Sequence, residues 1–227
     1  MEEITLNRLD LGEVLRYLGY GERQPDEETL ALAEDCESEL LAAARPRWRS
    51  LTMKVLGGDR KGVHLEGGLL LPGDSIKMHL LGCDRAVLFC VTLSAQVDAL
   101  LRKIQTEDMA RAVVLDSCAS VAVEQACDQV EERIKQEFPG CCFPYRYSPG
   151  YGDLPISLQG EILALLDAPR KIGLCATANH ILTPRKSVTA ILGVAKGWIE
   201  RGPKGSCARC FLKGRCSYQL RGKTCGA

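Results

Sequence analysis

What this 227-residue chain lacks first is a field of one sign, because 29 Lys and Arg balance 29 Asp and Glu. Without a global charge to gather polyanions, non-specific nucleic-acid binding is excluded as its main purpose. It also lacks any apolar run of the roughly 18 to 20 residues that a membrane span needs. The opening MEEITLNRLD has neither the basic nor the apolar segment of a signal peptide. No membrane partner is therefore expected, and the chain reads as cytoplasmic. No internal repeat is visible, and helical and strand patterns do not alternate regularly, which disfavours a doubly wound parallel sheet.

Catalytic constellations are missing too. The three histidines, His64, His79 and His180, are widely separated, and each reads as a structural or surface group. No nucleophile stands with an evident base. The "RGKT" at 221–224 lacks the upstream glycine of a phosphate loop. With 46% hydrophobic residues the chain can still bury a real core.

Cysteine and clustered charge are what the sequence does have. From Lys196 onward eight basic residues (196, 201, 204, 209, 213, 215, 221, 223) face one acid, Glu200, so the tail carries +7 and the rest −7. Twelve cysteines in a cytoplasmic chain point to thiol, metal or redox chemistry before a disulfide framework. Cys36, Cys83, Cys90, Cys118, Cys127 and Cys175 sit among apolar neighbours and read as small core residues. Cys141-Cys142 reads as packed, with a ligand or thiol role as the alternative.

The tail cysteines are clustered as Cys207-x2-Cys210-x5-Cys216-x8-Cys225. Four thiolates opening with CxxC suit tetrahedral zinc or an iron-sulfur cluster. Arg209, Lys213 and Arg215 would lower the thiol pKa values and offset cluster charge. The alternative is a basic tail with reduced thiols.

Helical periodicity covers 10–18 and 26–44, the second capped by Asp26. Strand patterns follow at 51–56, 63–71 and 85–93. Ser94 is placed to cap the next helix. The longest helical stripe, Ala112, Leu115, Ala119, Val123, Ala126, Val130 and Ile134, runs to about residue 138 and is rich in alanine, so something must pack closely on it. A helix over 157–167 and strand-like runs at 172–182 and 187–194 complete an α+β pattern. Pro184, Arg185 and Lys186 form a turn before the last run.

Between the long helix and the one at 157 lies PYRYSPGYGDLP, residues 144–155. Pro144 and Pro149 fix their own φ and extend Phe143 and Ser148, while Gly150 and Gly152 permit backbone geometry or close approach denied to other residues. Arg146 offers a planar fork suited to a carboxylate or phosphate; Tyr145, Tyr147 and Tyr151 add flat amphipathic surfaces. A site for an anionic, partly flat small molecule, a structural turn, and a polyproline-like docking loop all fit these residues.

RYSPGY, with Arg146-x-x-x-Gly150-Tyr151, resembles the Arg-x-x-x-Gly-Tyr motif of the S-adenosylmethionine-binding reactivation (activation) domain of cobalamin-dependent methionine synthase. LTPRKSVTAILG at 182–193 resembles the same family's Pro-x-x-Ser-Val-x-Gly/Ala segment, and the long helix sits where the family places one. The likeness covers roughly 85–194 and is closer to free-standing activation proteins than to the domain of the full-length enzyme.

The resemblance implies a helmet-shaped α+β domain with a bent antiparallel sheet and long helices. It divides the chain into N-terminal helices and strands (1–84), an S-adenosylmethionine-binding core (85–195) and a Cys-rich tail (196–227). By position, Arg146 would hold the ligand's carboxylate, the backbone of Ser148, Pro149 and Gly150 would approach its adenosine, and Tyr151 would face the corrin. Glu124, or Ser120 in its place, would meet the ammonium.

The implied partner is a cobalamin-dependent methionine synthase or related corrinoid protein carrying the cobalamin, with a reductant protein supplying an electron. The chain would be a component of a methyltransferase rather than a complete enzyme. Two departures stand out. AILGVAKGWIERG replaces the family's His-Pro and Tyr segment, and its N-terminal acidic ligand contact has no clear match, so binding would be weaker, or the partner would complete the site. The rival reading is a metal- or iron-sulfur-bearing electron-transfer or binding module for corrinoid proteins that does not use S-adenosylmethionine.

Overall fold

In the computed structural model, residues 4–21 and 23–197 are described, together with Gly214. The elements in chain order are α1 (Leu11–Tyr17), α2 (Glu27–Ala43), β1 (Arg47–Gly58), β2 (Gly62–Leu65), β3 (Leu70–Pro72), α3 (Asp74–His79) and β4 (Arg85–Thr92). They continue with α4 (Ala95–Glu107), α5 (Met109–Gln136), α6 (Leu158–Leu165), α7 (Ala168–Ile172), β5 (Cys175–Ala176), β6 (Leu182–Thr183) and β7 (Ser187–Val194). The fold is α+β. Five strands form one sheet in the order β3-β2-β1-β4-β7, and β5 and β6 form a separate hairpin.

Two compact units divide the chain. The first contains the described residues through Leu51, with Phe89–Glu137 and Gln159–Thr189; the second contains Thr52–Leu88, Phe138–Leu158 and the described residues from Ala190 on.

In the first unit, α5 is the central helix, and α1, α2 and α4 pack against it. All seven residues of the alanine-rich stripe are buried. Small side chains let the helices approach closely, to the point that thiols reach the facing backbone. Cys118 Sγ lies 4.0 Å from the Ala33 carbonyl and Cys36 Sγ 3.8 Å from that of Arg111. Burial pushes the Cys118 and Cys90 thiols up to about 12, so these groups are unreactive core atoms. Asp26 caps α2 by accepting from the Thr29 N–H at 2.7 Å, and Asp108 caps α5 through Arg111 N–H at 3.0 Å.

Hydrogen bonds at the strand ends set the sheet's direction. Arg45 N–H donates to Leu93 C=O in the first unit and Val55 N–H to Asp84 C=O in the second, so β1 and β4 run antiparallel. Leu93 N–H to Lys186 C=O and Asp84 N–H to Val194 C=O do the same for β4 and β7.

In four places the structure differs from the sequence pattern. The run 63–71 is not one strand but the hairpin β2–β3, because Gly67 and Gly68, at φ 79° and 90°, turn the chain through a 3-10 segment. Ser94 does not cap α4: it sits at φ 87° and its side chain makes no capping bond. The run 172–182 is the end of α7 followed by the two short strands β5 and β6. Cys175 is exposed on that hairpin rather than buried in a core. No helix among the described residues is long and apolar enough to cross a membrane.

Candidate functional site: the loop 142–155

The loop residues all belong to the second unit. Its entry docks on β7: Cys142 and Ala195 exchange backbone hydrogen bonds at 2.8 and 2.9 Å, as do Tyr147 and Ile191 at 2.9 and 2.8 Å. Five steps separate 142 from 147, but only four separate 191 from 195. One extra residue is therefore accommodated on the loop side, as in a β-bulge. Gly193 opens room for it, because a Cβ there would stand 2.7 Å from Cys83 Sγ and 2.9 Å from Pro144 Cγ.

The bulge decides which way the side chains face. Paired residues point to the same side of a ladder, and residues alternate along extended chain. Cys142, Pro144 and Tyr147 thus share the Gly193 side. Tyr145 joins them through its ring contacts, described below. Arg146 lies between these two tyrosines in the chain and is half-buried.

Beyond Tyr147 the chain closes on itself. Tyr151 N–H donates to Ser148 C=O at 3.0 Å, Leu154 N–H to Tyr151 C=O at 3.0 Å, and Gly150 N–H to Leu154 C=O at 2.8 Å. Gly150 and Gly152 take φ of 94° and 54°, so the turn needs glycine at both. Their surroundings differ. A Cβ on Gly150 would meet nothing nearer than Ile156 at 3.8 Å, whereas one on Gly152 would stand 2.5 Å from Tyr147 Oη and 2.7 Å from Ser75 Oγ.

The short helix α3, which no apolar period in the sequence announced, braces this loop at both ends. At its start, Asp153 accepts from Asp74 N–H at 2.7 Å and Ser75 N–H at 3.0 Å. Desolvation opposes the charge on Asp153, but these bonds and that of the Ser75 hydroxyl prevail and lower its pKa. Gly73 is required because a Cβ would stand 2.5 Å from Asp153 Oδ1.

At the far end of α3, the His79 ring lies 4.7 Å from that of Tyr145 and 4.8 Å from that of Tyr147, and Tyr151 meets Tyr147 edge-on at 5.8 Å. Tyr147 is 6% exposed, whereas Tyr145 and Tyr151 keep 48% and 55% of their surface open. The inner ring is thus structural and the outer two are presented to solvent. Burial lowers the His79 pKa to about 4, partly offset by the Tyr145 backbone, so the ring is neutral at pH 7. Its Nε2 atom is buried without a hydrogen-bond partner among the described residues.

The structure gathers Arg146, Ser148, Pro149, Gly150 and Tyr151 on this single braced turn. Arg146 and Ser148 are half-buried, Pro149 is buried and Gly150 is exposed. Glu124 is half-buried on α5 in the other unit. Ser120, on the same helix, is committed to Lys186, whose Nζ lies 2.9 Å from Ser120 Oγ and 2.9 Å from Asp116 Oδ1. Cys141 and Cys142 are half-buried. Cys207, Cys210, Cys216 and Cys225 lie outside the described residues. Among the described residues no group of three or more His, Cys, Asp or Glu is arranged to hold a metal. His79, read from the sequence as a structural or surface group, is a buried member of the site, packed against two of the loop's rings; what the sequence pattern missed is the helix that carries it, whose available signal was Gly73-Asp74, a turn glycine before an acidic first helical residue.

No protein-family model matches the chain, and no curated protein matches it in sequence. Among solved structures it is similar to the crystal structure of the MetH reactivation domain bound to AdoHcy. The TM-score is 0.64 at 17% identity, over 88% of this chain and 79% of that one. That likeness shows the fold, an antiparallel sheet with long helices.

Proposed function

We propose that this chain binds S-adenosylmethionine on the RYSPGY turn and serves, as a separate component, the reactivation of a cobalamin-dependent methionine synthase or related corrinoid protein. The observation that carries the reading is the braced turn. It combines a half-buried arginine on the bulged segment, an exposed glycine at positive φ, and an exposed tyrosine five residues after the arginine. The fold's likeness to a reactivation domain bound to AdoHcy supports it.

The residues fit such a ligand. Gly150 is exposed and a Cβ there would meet only Ile156, at ordinary contact distance of 3.8 Å, so the ligand's adenosine would approach the backbone of this turn from its solvent side. The fork of Arg146 pairs with a carboxylate through two parallel N–H donors. Tyr151 offers a ring beside them for the partner's cofactor. Bound S-adenosylmethionine would supply an electrophilic sulfonium methyl group to the reduced corrinoid of the partner.

The work of this chain is then positional. Arg146 anchors one end of the ligand, the Ser148–Gly150 backbone orients the other, and the rigid turn keeps both still. Fixing reactants in an attack geometry can contribute about 7 to 11 kcal/mol in the best cases. No general base is needed, because a methyl transfer from a sulfonium moves no proton. The electron that reactivation consumes comes from a separate reductant protein, and the tail cysteines hold zinc or an iron-sulfur cluster.

Calorimetry of S-adenosylmethionine with the full chain, alone and with a corrinoid partner, tests this reading. Micromolar-range binding that Arg146→Ala abolishes is expected. Absence of binding under both conditions would overturn it in favour of a corrinoid-directed module that does not use S-adenosylmethionine.

A further inference from the structure

We infer that His79 is a positioning residue for Arg146. This rests on the reading that Arg146 holds the ligand's carboxylate. His79 contacts the ring on each side of Arg146 in the chain, at 4.7 Å for Tyr145 and 4.8 Å for Tyr147. With both neighbours pinned to one side of an extended segment, the Cα–Cβ bond of the residue between them has a single direction left.

The helix that carries His79 is itself anchored to the same loop. Asp153 holds the first turn of α3 through Asp74 and Ser75, and Tyr147 Oη and Ser75 Oγ crowd the Gly152 position from the other side. Loop and helix form a closed clamp: Tyr145-Arg146-Tyr147 at one end, Gly152-Asp153 at the other, and α3 spanning them. His79 is where that clamp touches the arginine's neighbours.

His79 holds the segment in two ways: its ring packs between those of Tyr145 and Tyr147, and it hydrogen-bonds the Tyr145 backbone. Its other nitrogen, Nε2, is buried without a partner among the described residues, a cost the packing offsets. Phenylalanine keeps the ring contacts and loses the hydrogen bond; aliphatic or small residues lose both.

The experiment compares two ligands. S-adenosylmethionine carries the carboxylate; 5′-methylthioadenosine keeps the nucleoside and lacks it. Affinities are measured by calorimetry for the full-length wild type, His79→Phe, His79→Ala, His79→Leu and Arg146→Ala. His79→Ala and His79→Leu should weaken S-adenosylmethionine by about tenfold and leave 5′-methylthioadenosine within about twofold. His79→Phe, which keeps the ring and loses the hydrogen bond to the Tyr145 backbone, should fall between wild type and His79→Ala for S-adenosylmethionine and leave 5′-methylthioadenosine unchanged. Adding His79→Ala to Arg146→Ala should cost nothing further, because the first acts through the second.

The inference is overturned if the His79 variants bind S-adenosylmethionine as wild type does while Arg146→Ala does not, an outcome that leaves the proposed function standing. Equal weakening of both ligands also overturns it, since that marks a general loss of structure. If wild type binds neither ligand, the proposed function fails first and this inference with it. Should His79→Ala not fold, the His79→Leu comparison decides alone.

Discussion

The hydroxyl of Tyr147 lies 2.5 Å from the point where a Cβ on Gly152 would stand. Two residues five apart in sequence thus exclude any side chain between loop and helix, and Ser75 Oγ closes the same space at 2.7 Å. Gly152→Ala meets both the positive φ and this crowding, and should cost about 2 to 4 kcal/mol. Gly150→Ala meets only the strained φ, since its Cβ would reach nothing nearer than 3.8 Å, and should cost about 1 to 2 kcal/mol. Urea unfolding with an unchanged slope measures the difference. Equal midpoints for the two variants would mean that Tyr147 and Ser75 move aside, and the clamp would not be rigid.

Arg146→Lys separates a fork from a point charge. Lysine retains the positive charge but cannot make two coplanar bonds to one carboxylate. S-adenosylmethionine should therefore bind at least about tenfold more weakly, with 5′-methylthioadenosine unaffected. Affinity equal to wild type in calorimetry would remove Arg146 from the role proposed for it.

Much of this was legible in the sequence, for physical reasons that also explain the rest. The buried stripe of α5 and the Asp26 cap follow from side-chain period and hydrogen-bonding chemistry, which are local. The glycine turn at 150–152 was legible because positive φ has few alternatives. The β2–β3 hairpin was hidden inside an apolar run whose two glycines, 67 and 68, looked like strand residues. Helix α3 was hidden because six residues carry less than two full turns of period, and its stability comes from Asp153, 79 positions away. The bulge opposite Gly193 is a long-range property of pairing with β7, invisible in the run 142–147 alone.

His79 gives the protein an acid-labile point. In the unfolded chain its pKa is near 6.5, and in the folded protein burial lowers it to about 4. Between these values the unfolded state takes up a proton that the folded state refuses. Stability therefore rises with pH through this window and falls on acidification from pH 6.5 toward 4. The full effect is on the order of 3 kcal/mol. Tyr147, in contact with the ring, has its pKa raised by its burial and adds no charge in this window. Asp153, at the other end of α3, loses its contribution only at lower pH, because its pKa is lowered. His79→Phe should flatten the stability profile between pH 6.5 and 4, because the group that takes up the proton is gone, with a pH-independent cost for the lost hydrogen bond to the Tyr145 backbone. Thermal unfolding across pH checks this; parallel profiles for wild type and His79→Phe would place the acid sensitivity elsewhere.

The tail makes a separate prediction, because its chemistry does not depend on the loop. On the reading proposed for the tail, Cys207, Cys210, Cys216 and Cys225 would supply four sulfur ligands, and the basic residues among them in the sequence would offset the charge that four thiolates bring to one metal. Protein prepared without oxygen should carry about one zinc ion or one iron-sulfur cluster per chain. Elemental analysis with acid-labile sulfide and a visible spectrum tells the two apart. Cys210→Ser, which breaks the CxxC pair, should lower the metal content severalfold, while Cys175→Ser, an exposed thiol outside the tail, should leave it unchanged. Binding of S-adenosylmethionine should survive Cys210→Ser, because Arg146 and the turn that carries it are braced by α3. Loss of metal and ligand together would join the two features into one site, and metal-free wild-type protein would reduce the tail to a basic segment with free thiols.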